Sequence, residues 1–122
     1  MLVKSWEEYL KKRGIEESSI LPDVSMVPEK FRAVFINDLK LQILIDEVNG
    51  GKEADWENDN EEKYVLWWWM DGVSGAGFRL DFVYFSYSYS VVGSRFTFRN
   101  RKAAEHAAKH FFEMFKIHMY GK

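Results

Sequence analysis

The chain has 122 residues, of which 47% are hydrophobic and 17% aromatic, and its net charge is −2. This size suits one domain over residues 1–122, and the composition excludes a wholly disordered chain. Cysteine is absent, which excludes disulfides, thiol catalysis and Cys-ligated metal sites. The sequence has no apolar run of signal-peptide length at its start and none near the ~20 residues of a membrane span. We therefore expect a cytoplasmic protein with no membrane partner.

The charges are unevenly distributed along the chain. Residues 1–92 carry 10 Lys and Arg against 17 Asp and Glu, whereas residues 93–122 carry 7 against 2. A basic C-terminal element on an acidic body can meet an anion, a nucleic acid or an acidic partner. It can equally pair with the acidic part of its own chain or of a second copy.

Two helices are predicted in the N-terminal half. In SWEEYLKKRG, Ser5 precedes Glu8 by the capping-box spacing, and Gly14 ends the apolar stripe. A connector, ESSILPDVSMVP, follows. The next stretch, PEKFRAVFINDLKLQILIDEVNGG, has an apolar spacing that fits both a helix and a strand. We predict a helix, because a proline at its start and Asn-Gly at its end are typical helix boundaries.

Three strands are predicted after an acidic loop, GKEADWENDNEE, whose Trp56 we expect to pack into the domain. The strands are KYVLWWWM, GFRLDFVYFSYSYS and SRFTFR. Glycine-containing turns separate them, as short connections between antiparallel strands require. The turn residues are Asp71-Gly72, Gly75-Ala76-Gly77 and Gly93.

A last helix is predicted from the cap residue Asn100 to Gly121, with alanines in the apolar stripe near its start. The order of elements is then helix, helix, three strands, helix. This order predicts an α+β fold in which a three-stranded antiparallel sheet carries helices on one face.

The run Trp67-Trp68-Trp69 raises the question of what covers the other face of the sheet. Neighbouring residues of a strand point to opposite faces, so either Trp68 or the Trp67/Trp69 pair faces away from the helices. Such a face can be covered by core packing, by a homodimer through the sheet, or by a ligand such as the bases of a single-stranded nucleic acid. The residues of the predicted aromatic interaction surface are Trp68, Trp69, Tyr87 and Tyr89.

A basic cluster surrounds the start of the last helix. Cations at a helix N-terminus oppose the helix dipole, so their presence calls for an explanation. Basic side chains and helix N–H groups together can bind phosphate; the alternative is a solvated or self-paired cluster. The residues predicted to bind nucleic acid or another anion are Arg95, Arg99, Arg101 and Lys102.

No catalytic or metal-binding motif is identified in the sequence. His106, His110 and Glu113 share one helical stripe, but no second element clearly supplies a further metal ligand. The acidic loop lacks the glycine and the twelfth-position glutamate of an EF-hand. No nucleophile–base pair or phosphate-binding loop stands out either. We therefore favour a binding protein over an enzyme and predict no cofactor and no metal; a metal- or cofactor-dependent enzyme is the third alternative.

Three stretches resemble a family of small uncharacterised proteins from phages and integrated mobile elements of gut Bacteroidetes-type bacteria. They are KLQILIDEVNGGKEADW, KYVLWWW and VGSRFTFRNRKAAEHAAKHFFEMFK, within roughly residues 30–118. The family tends to show K-L…A-L-N-x-G-W-x-P-D-W, K-Y-x-P-W, and G-S-R-L-x-F-K followed by a helix with A-x-x-A-x-x-x-F. Lys52, Ala54 and Leu66 stand where the family has Trp, Pro and Pro. The matching residues are Lys40, Leu41, Asn49, Gly51, Asp55, Trp56, Lys63, Tyr64, Trp67, Gly93, Ser94, Arg95, Phe98, Ala104, Ala108 and Phe112.

The resemblance implies a phage-related setting inside a bacterial host cell, where small accessory binders are common, and it treats Trp56 and Trp67 as scaffold residues. It carries over no activity and no site residues. Our expectation is a non-enzymatic binding or interaction module, with an unidentified protein partner or a homodimer through the sheet. The alternative is a nucleic-acid-binding protein that uses the basic helix start and the aromatic strands.

Overall fold

The computed structural model describes residues 1–70 and 77–122, and within these ranges it contains four α-helices and one two-stranded antiparallel sheet. The predicted α+β class is confirmed. No helix in the described ranges is long and apolar enough to cross a membrane. The predicted turns at residues 71–76 lie outside the described residues. In chain order, the elements are α1 (Trp6–Arg13), α2 (Glu29–Val48), β1 (Lys63–Trp69), β2 (Arg79–Ser86), α3 (Arg101–His110) and α4 (Phe112–Tyr120), with 3-10 turns at Glu17–Ser19 and Ser94–Phe96.

The two N-terminal helices are confirmed. The Ser5 hydroxyl accepts a hydrogen bond from the backbone N–H of Glu8 at 3.0 Å, as a capping residue should. Gly14 ends α1 in the left-handed conformation, with φ of 63°, which glycine adopts without steric cost. The ambiguous stretch is a helix because its deeply buried apolar residues recur at helical spacing. These residues are Leu41, Leu44, Ile45 and Val48.

The prediction of a third strand is wrong. Within SRFTFR, only Phe98 pairs with the sheet, through two backbone hydrogen bonds with Tyr64 at 2.7 and 3.0 Å. The side-chain amide of Asn49, at the end of α2, donates to the carbonyl of Thr97 and accepts from the N–H of Arg99, each at 2.9 Å. These two groups point away from β1, so Asn49 binds the opposite edge of this segment. Pairing with β1 is limited to one residue because the 3-10 turn at Ser94–Phe96 precedes Phe98 and the Asn100 cap of α3 follows it.

The predicted single C-terminal helix is two helices. The side chain of Asn100 caps α3 by accepting from the N–H of Ala103 at 2.7 Å, which confirms the predicted start. Phe111 then leaves the helical conformation, with φ −110° and ψ 23°, while its side chain is only 1% exposed. The break therefore falls at a residue whose side chain lies in the core. Gly121 ends α4 in the left-handed conformation.

The hydrophobic core lies between the helices and one face of the sheet, which we call the inner face. The alanines of α3 are almost fully buried, so this helix can approach its neighbours closely. The inner face contributes Tyr64, Leu66 and Trp68 from β1. The most deeply buried core residues are Val3, Leu41, Leu44, Ile45, Phe98, Ala103, Ala104, Ala107 and Phe111.

A β-bulge in β2 keeps the apolar residues of the hairpin on the inner face. Trp67 pairs with Phe82, but Trp68 pairs with Leu80, so Asp81 has no partner in β1. If the two strands paired regularly beyond Trp67 and Phe82, Asp81 would lie opposite Trp68 and face the core. The bulge instead places Leu80 there and leaves Asp81 exposed, because a one-residue shift exchanges the two faces of a strand.

We expect Trp68 to be the structural tryptophan of the three. Its ring centroid lies 4.7 Å from that of Phe78 and 5.1 Å from that of Phe115. Trp68→Ala should lower the free energy of unfolding by about 3 kcal/mol, as for other large aromatic truncations. Trp69→Ala, at a position that is 40% exposed, should cost much less. Urea denaturation would measure both values, and equal losses would contradict this assignment.

Candidate functional site

The outer face of the hairpin carries a cluster of exposed aromatic side chains, which we call the aromatic face. The ring of Trp67 stacks on that of Phe82, with centroids 5.6 Å apart, and Tyr84 meets both rings edge-on at 6.2 Å. The guanidinium of Arg79 lies 5.1 Å from the Trp69 ring centroid. The aromatic face consists of Trp67 (46% exposed), Trp69 (40%), Phe82 (44%) and Tyr84 (48%).

The acidic loop, residues 51–62, encloses the side chain of Lys63 at the start of the same strand. The Lys63 ammonium is buried and donates to the carbonyls of Asn58 and Tyr87 at 2.7 and 2.8 Å. It also lies 5.3 Å from the ring centroid of Trp56, whose indole N–H donates to the Ser94 hydroxyl at 2.6 Å. The expected packing of Trp56 into the domain is therefore confirmed, and the uncovered part of the outer face begins beyond this loop.

The structure separates the four residues of the predicted aromatic surface. Trp69 belongs to the aromatic face, whereas Trp68 lies on the inner face and packs against α4. Tyr87 and Tyr89 follow the end of β2, and Tyr89 is 84% exposed. The strand ends there because the hydroxyl of Ser86 accepts from the N–H of Tyr89 at 3.1 Å and starts a turn.

Sequence reasoning missed Phe82 and Tyr84. Their i, i+2 spacing in DFVYF was a usable signal for a shared face. The bulge decides which face this is, and no local pattern in the sequence identifies the bulge.

The structure also divides the four residues of the predicted basic cluster. Arg95 forms an exposed ion pair with Glu53 at 2.7 Å. The guanidinium of Arg101 lies 5.7 Å from the ring centroid of Tyr64. Only Arg99 and Lys102 line a common cavity.

That cavity is an open cleft of about 870 Å³ between the start of α3 and the N-terminal residues. We call it the basic cleft. Three of its cations, Lys4, Lys12 and Arg13, were not predicted, because they come from the other end of the chain. The charged residues that line it are Lys4, Lys12, Arg13, Glu47, Arg99 and Lys102.

Glu47 is the buried carboxylate of the basic cleft. Its side chain is 6% exposed and accepts hydrogen bonds from Lys12 Nζ at 2.7 Å and from Arg13 Nε at 3.0 Å. Burial alone would raise the pKa of Glu47, but the hydrogen bonds and positive charges of Lys12 and Arg13 outweigh it. The net result is a pKa below the ordinary glutamate value, so Glu47 is ionised in the folded protein.

The histidine stripe of the last helix does not gather a metal-ligand set. His106 Nε2 lies 2.6 Å from the carbonyl oxygen of Val3, and the rings of His106 and His110 are 4.5 Å apart. Among residues 1–70 and 77–122, no group of three His, Cys, Asp or Glu side chains is placed to hold a metal ion.

No family model, no curated protein and no solved structure matches this chain. The resemblance to the phage-associated family therefore remains a prediction, and the function must be argued from the two surfaces described above.

We expect the Glu47 ion pairs to make stability depend on pH. At neutral pH, Glu47→Gln should lower the free energy of unfolding by about 2 kcal/mol, the scale of hydrogen bonds to a charged group. The folded pKa of Glu47 lies below its unfolded value, so this contribution is complete above pH ~4.5 and is lost as pH falls through the folded pKa. Urea denaturation of both proteins between pH 3 and 7, roughly the span of carboxyl titration, would measure the difference.

The matched control is Glu53→Gln, which removes an exposed ion pair with Arg95. Exposed pairs contribute little to stability, so this variant should stay close to wild type at each pH. A Glu47→Gln effect that did not shrink in acid would contradict the role given to Glu47.

Proposed function

We propose that the chain is a non-enzymatic interaction module that forms a homodimer by packing the aromatic faces of two copies against each other. The observation that carries this proposal is the side-by-side exposure of four large aromatic side chains on the outer face of the hairpin. The largest contiguous apolar patch of a protein surface often marks an interaction site.

The area of the aromatic face is suited to the centre of an interface. A large aromatic side chain buries about 150–250 Å² in total, so four that are nearly half exposed offer roughly 350 Å² per copy. A standard interface buries about 800 Å² per partner, with an apolar centre and a polar rim. The exposed segment around Tyr89 and Val91, which are 84% and 86% exposed, is a source of rim area.

The charges around the aromatic face favour a second copy in one orientation. Arg79 lies at one end of the hairpin strands, and the acidic loop, residues 51–62, lies at the other end. A two-fold axis perpendicular to the strands, near the Trp67–Phe82 pair, brings the Arg79 end of each copy towards the acidic loop of the other. In such an isologous arrangement, Arg79 of each copy lies near the acidic loop of the other copy.

The same charges disfavour a nucleic acid on this face. Proteins that stack bases on aromatic side chains combine them with a basic groove along the backbone. Within the described strands β1 and β2, Arg79 is the one exposed cation, and the exposed Asp81 follows two residues later in the bulged strand. The acidic loop would also repel phosphates.

Sedimentation equilibrium over a range of protein concentrations tests the dimer. We expect the wild-type mass to rise from monomer to dimer, and Trp67→Ser/Phe82→Ser to weaken association at least 100-fold, since two central aromatic anchors are lost. The control is Phe31→Ser/Phe35→Ser, which removes aromatic residues of α2 that are 54% and 47% exposed. That variant should dimerise like wild type.

Circular dichroism would confirm that both double variants are folded. A wild-type protein that stays monomeric at the highest concentrations would refute the proposal. If the α2 variant lost the dimer and the hairpin variant kept it, the interface would lie on α2 and the proposal would be wrong.

A further inference from the structure

The basic cleft has a net positive charge, whereas the chain as a whole has a net negative charge. Five cationic side chains and one carboxylate line it, a balance of +4, while the whole chain carries −2. These cations come from three separate places: the segment before α1, the end of α1, and the start of α3. The fold itself therefore gathers them.

Most of this charge is not neutralised within the protein. Lys12 and Arg13 share one carboxylate, that of Glu47, with which both form ion pairs. Within residues 1–70 and 77–122, the Arg99 guanidinium donates to the backbone carbonyl of Asn49 at 3.2 Å and forms no ion pair. Among the described residues, neither Lys4 nor Lys102 has a carboxylate within ion-pair distance. Like charges that converge in a concave surface raise the local potential and attract a counter-ion.

We propose that the basic cleft binds the phosphates of a nucleic-acid backbone. The cleft is open and spreads its cations over about 870 Å³, which suits several linked anions better than one. Its described lining contains no Phe, Tyr or Trp side chain, and the ring nitrogen Nε2 of its one histidine, His106, lies 2.6 Å from the carbonyl oxygen of Val3. Contacts of this type neutralise phosphates without reading sequence. This function is separate from the proposed dimer, because the cleft shares no residue with the aromatic face.

Two features support a nucleic acid over a membrane surface. The cations line a concavity, which a flat layer of lipid headgroups cannot enter but a projecting backbone can. The cleft also includes Asn100 and Lys102 at the start of α3, where the positive end of the helix dipole favours an anion.

Fluorescence anisotropy with labelled duplex DNA, duplex RNA and single strands tests this proposal over a series of salt concentrations. The test variant is Lys4→Gln/Lys102→Gln, which leaves the Glu47 ion pairs intact. We expect wild type to bind without sequence preference. The slope of log K against log salt should fall in magnitude by about 1.8 in the variant on duplex DNA, since two phosphate contacts are lost.

The matched control is Lys30→Gln/Lys116→Gln, which removes the same charge from exposed positions outside the cleft. It should bind like wild type with an unchanged slope. Inorganic triphosphate is added as a competitor to separate free phosphate from a backbone. Absence of nucleic-acid binding at low salt would overturn the proposal, as would an equal loss in both variants or binding of triphosphate alone.

Discussion

The packing of Trp68 against α4 is the contact on which the architecture of the hairpin depends. A two-stranded hairpin is at best marginally stable alone, so it needs a surface to rest on. Trp68 provides that contact through Phe78, Phe112 and Phe115. Because strand neighbours alternate, placing Trp68 inward turns Trp67 and Trp69 outward. The exposed aromatic face is therefore a consequence of how the hairpin is anchored.

The side chain of Asn49 sets a second constraint. It hydrogen-bonds the carbonyl of Thr97 and the N–H of Arg99, which are the backbone groups that point away from β1, and so ties the end of α2 to the segment before α3. The same contact fixes the backbone at Arg99, whose side chain lines the basic cleft. One buried amide thus joins two parts of the fold and positions a charge of the cleft.

The sequence predicted those elements whose signals are local. The Ser5 cap, the Gly14 stop and the Asn100 cap each depend on a few neighbouring residues, and each is present in the structure. The third strand and the unbroken last helix were wrong. The 3-10 turn at Ser94–Phe96 and the Asn100 cap of α3 leave one residue, Phe98, to pair with β1, and the last helix is interrupted at Phe111, whose side chain is buried in the core.

The two surfaces were predictable to different degrees for the same reason. Three consecutive tryptophans in a strand imply that at least one of them faces outward. The bulge at Asp81 determines which residues of β2 lie on the same face as these tryptophans. The basic cleft joins Lys4 with Lys102, which are almost a whole chain length apart. Only the fold brings such residues together. The basic residues at the start of the last helix were therefore predictable from the sequence, but the N-terminal cations beside them were not.

The chemistry of the two surfaces makes them physically separable. Burial of aromatic surface is an apolar effect that salt does not screen, whereas phosphate contacts weaken steeply with salt because counter-ions are released on binding. The ion pairs between Arg79 and an acidic loop would sit at the rim of a dimer, where screening removes little of the total. Moderate salt should therefore release an anion from the basic cleft while leaving an aromatic interface assembled. In a two-fold dimer each copy presents its own cleft, so a long backbone that spans both would gain avidity from the pairing of the aromatic faces.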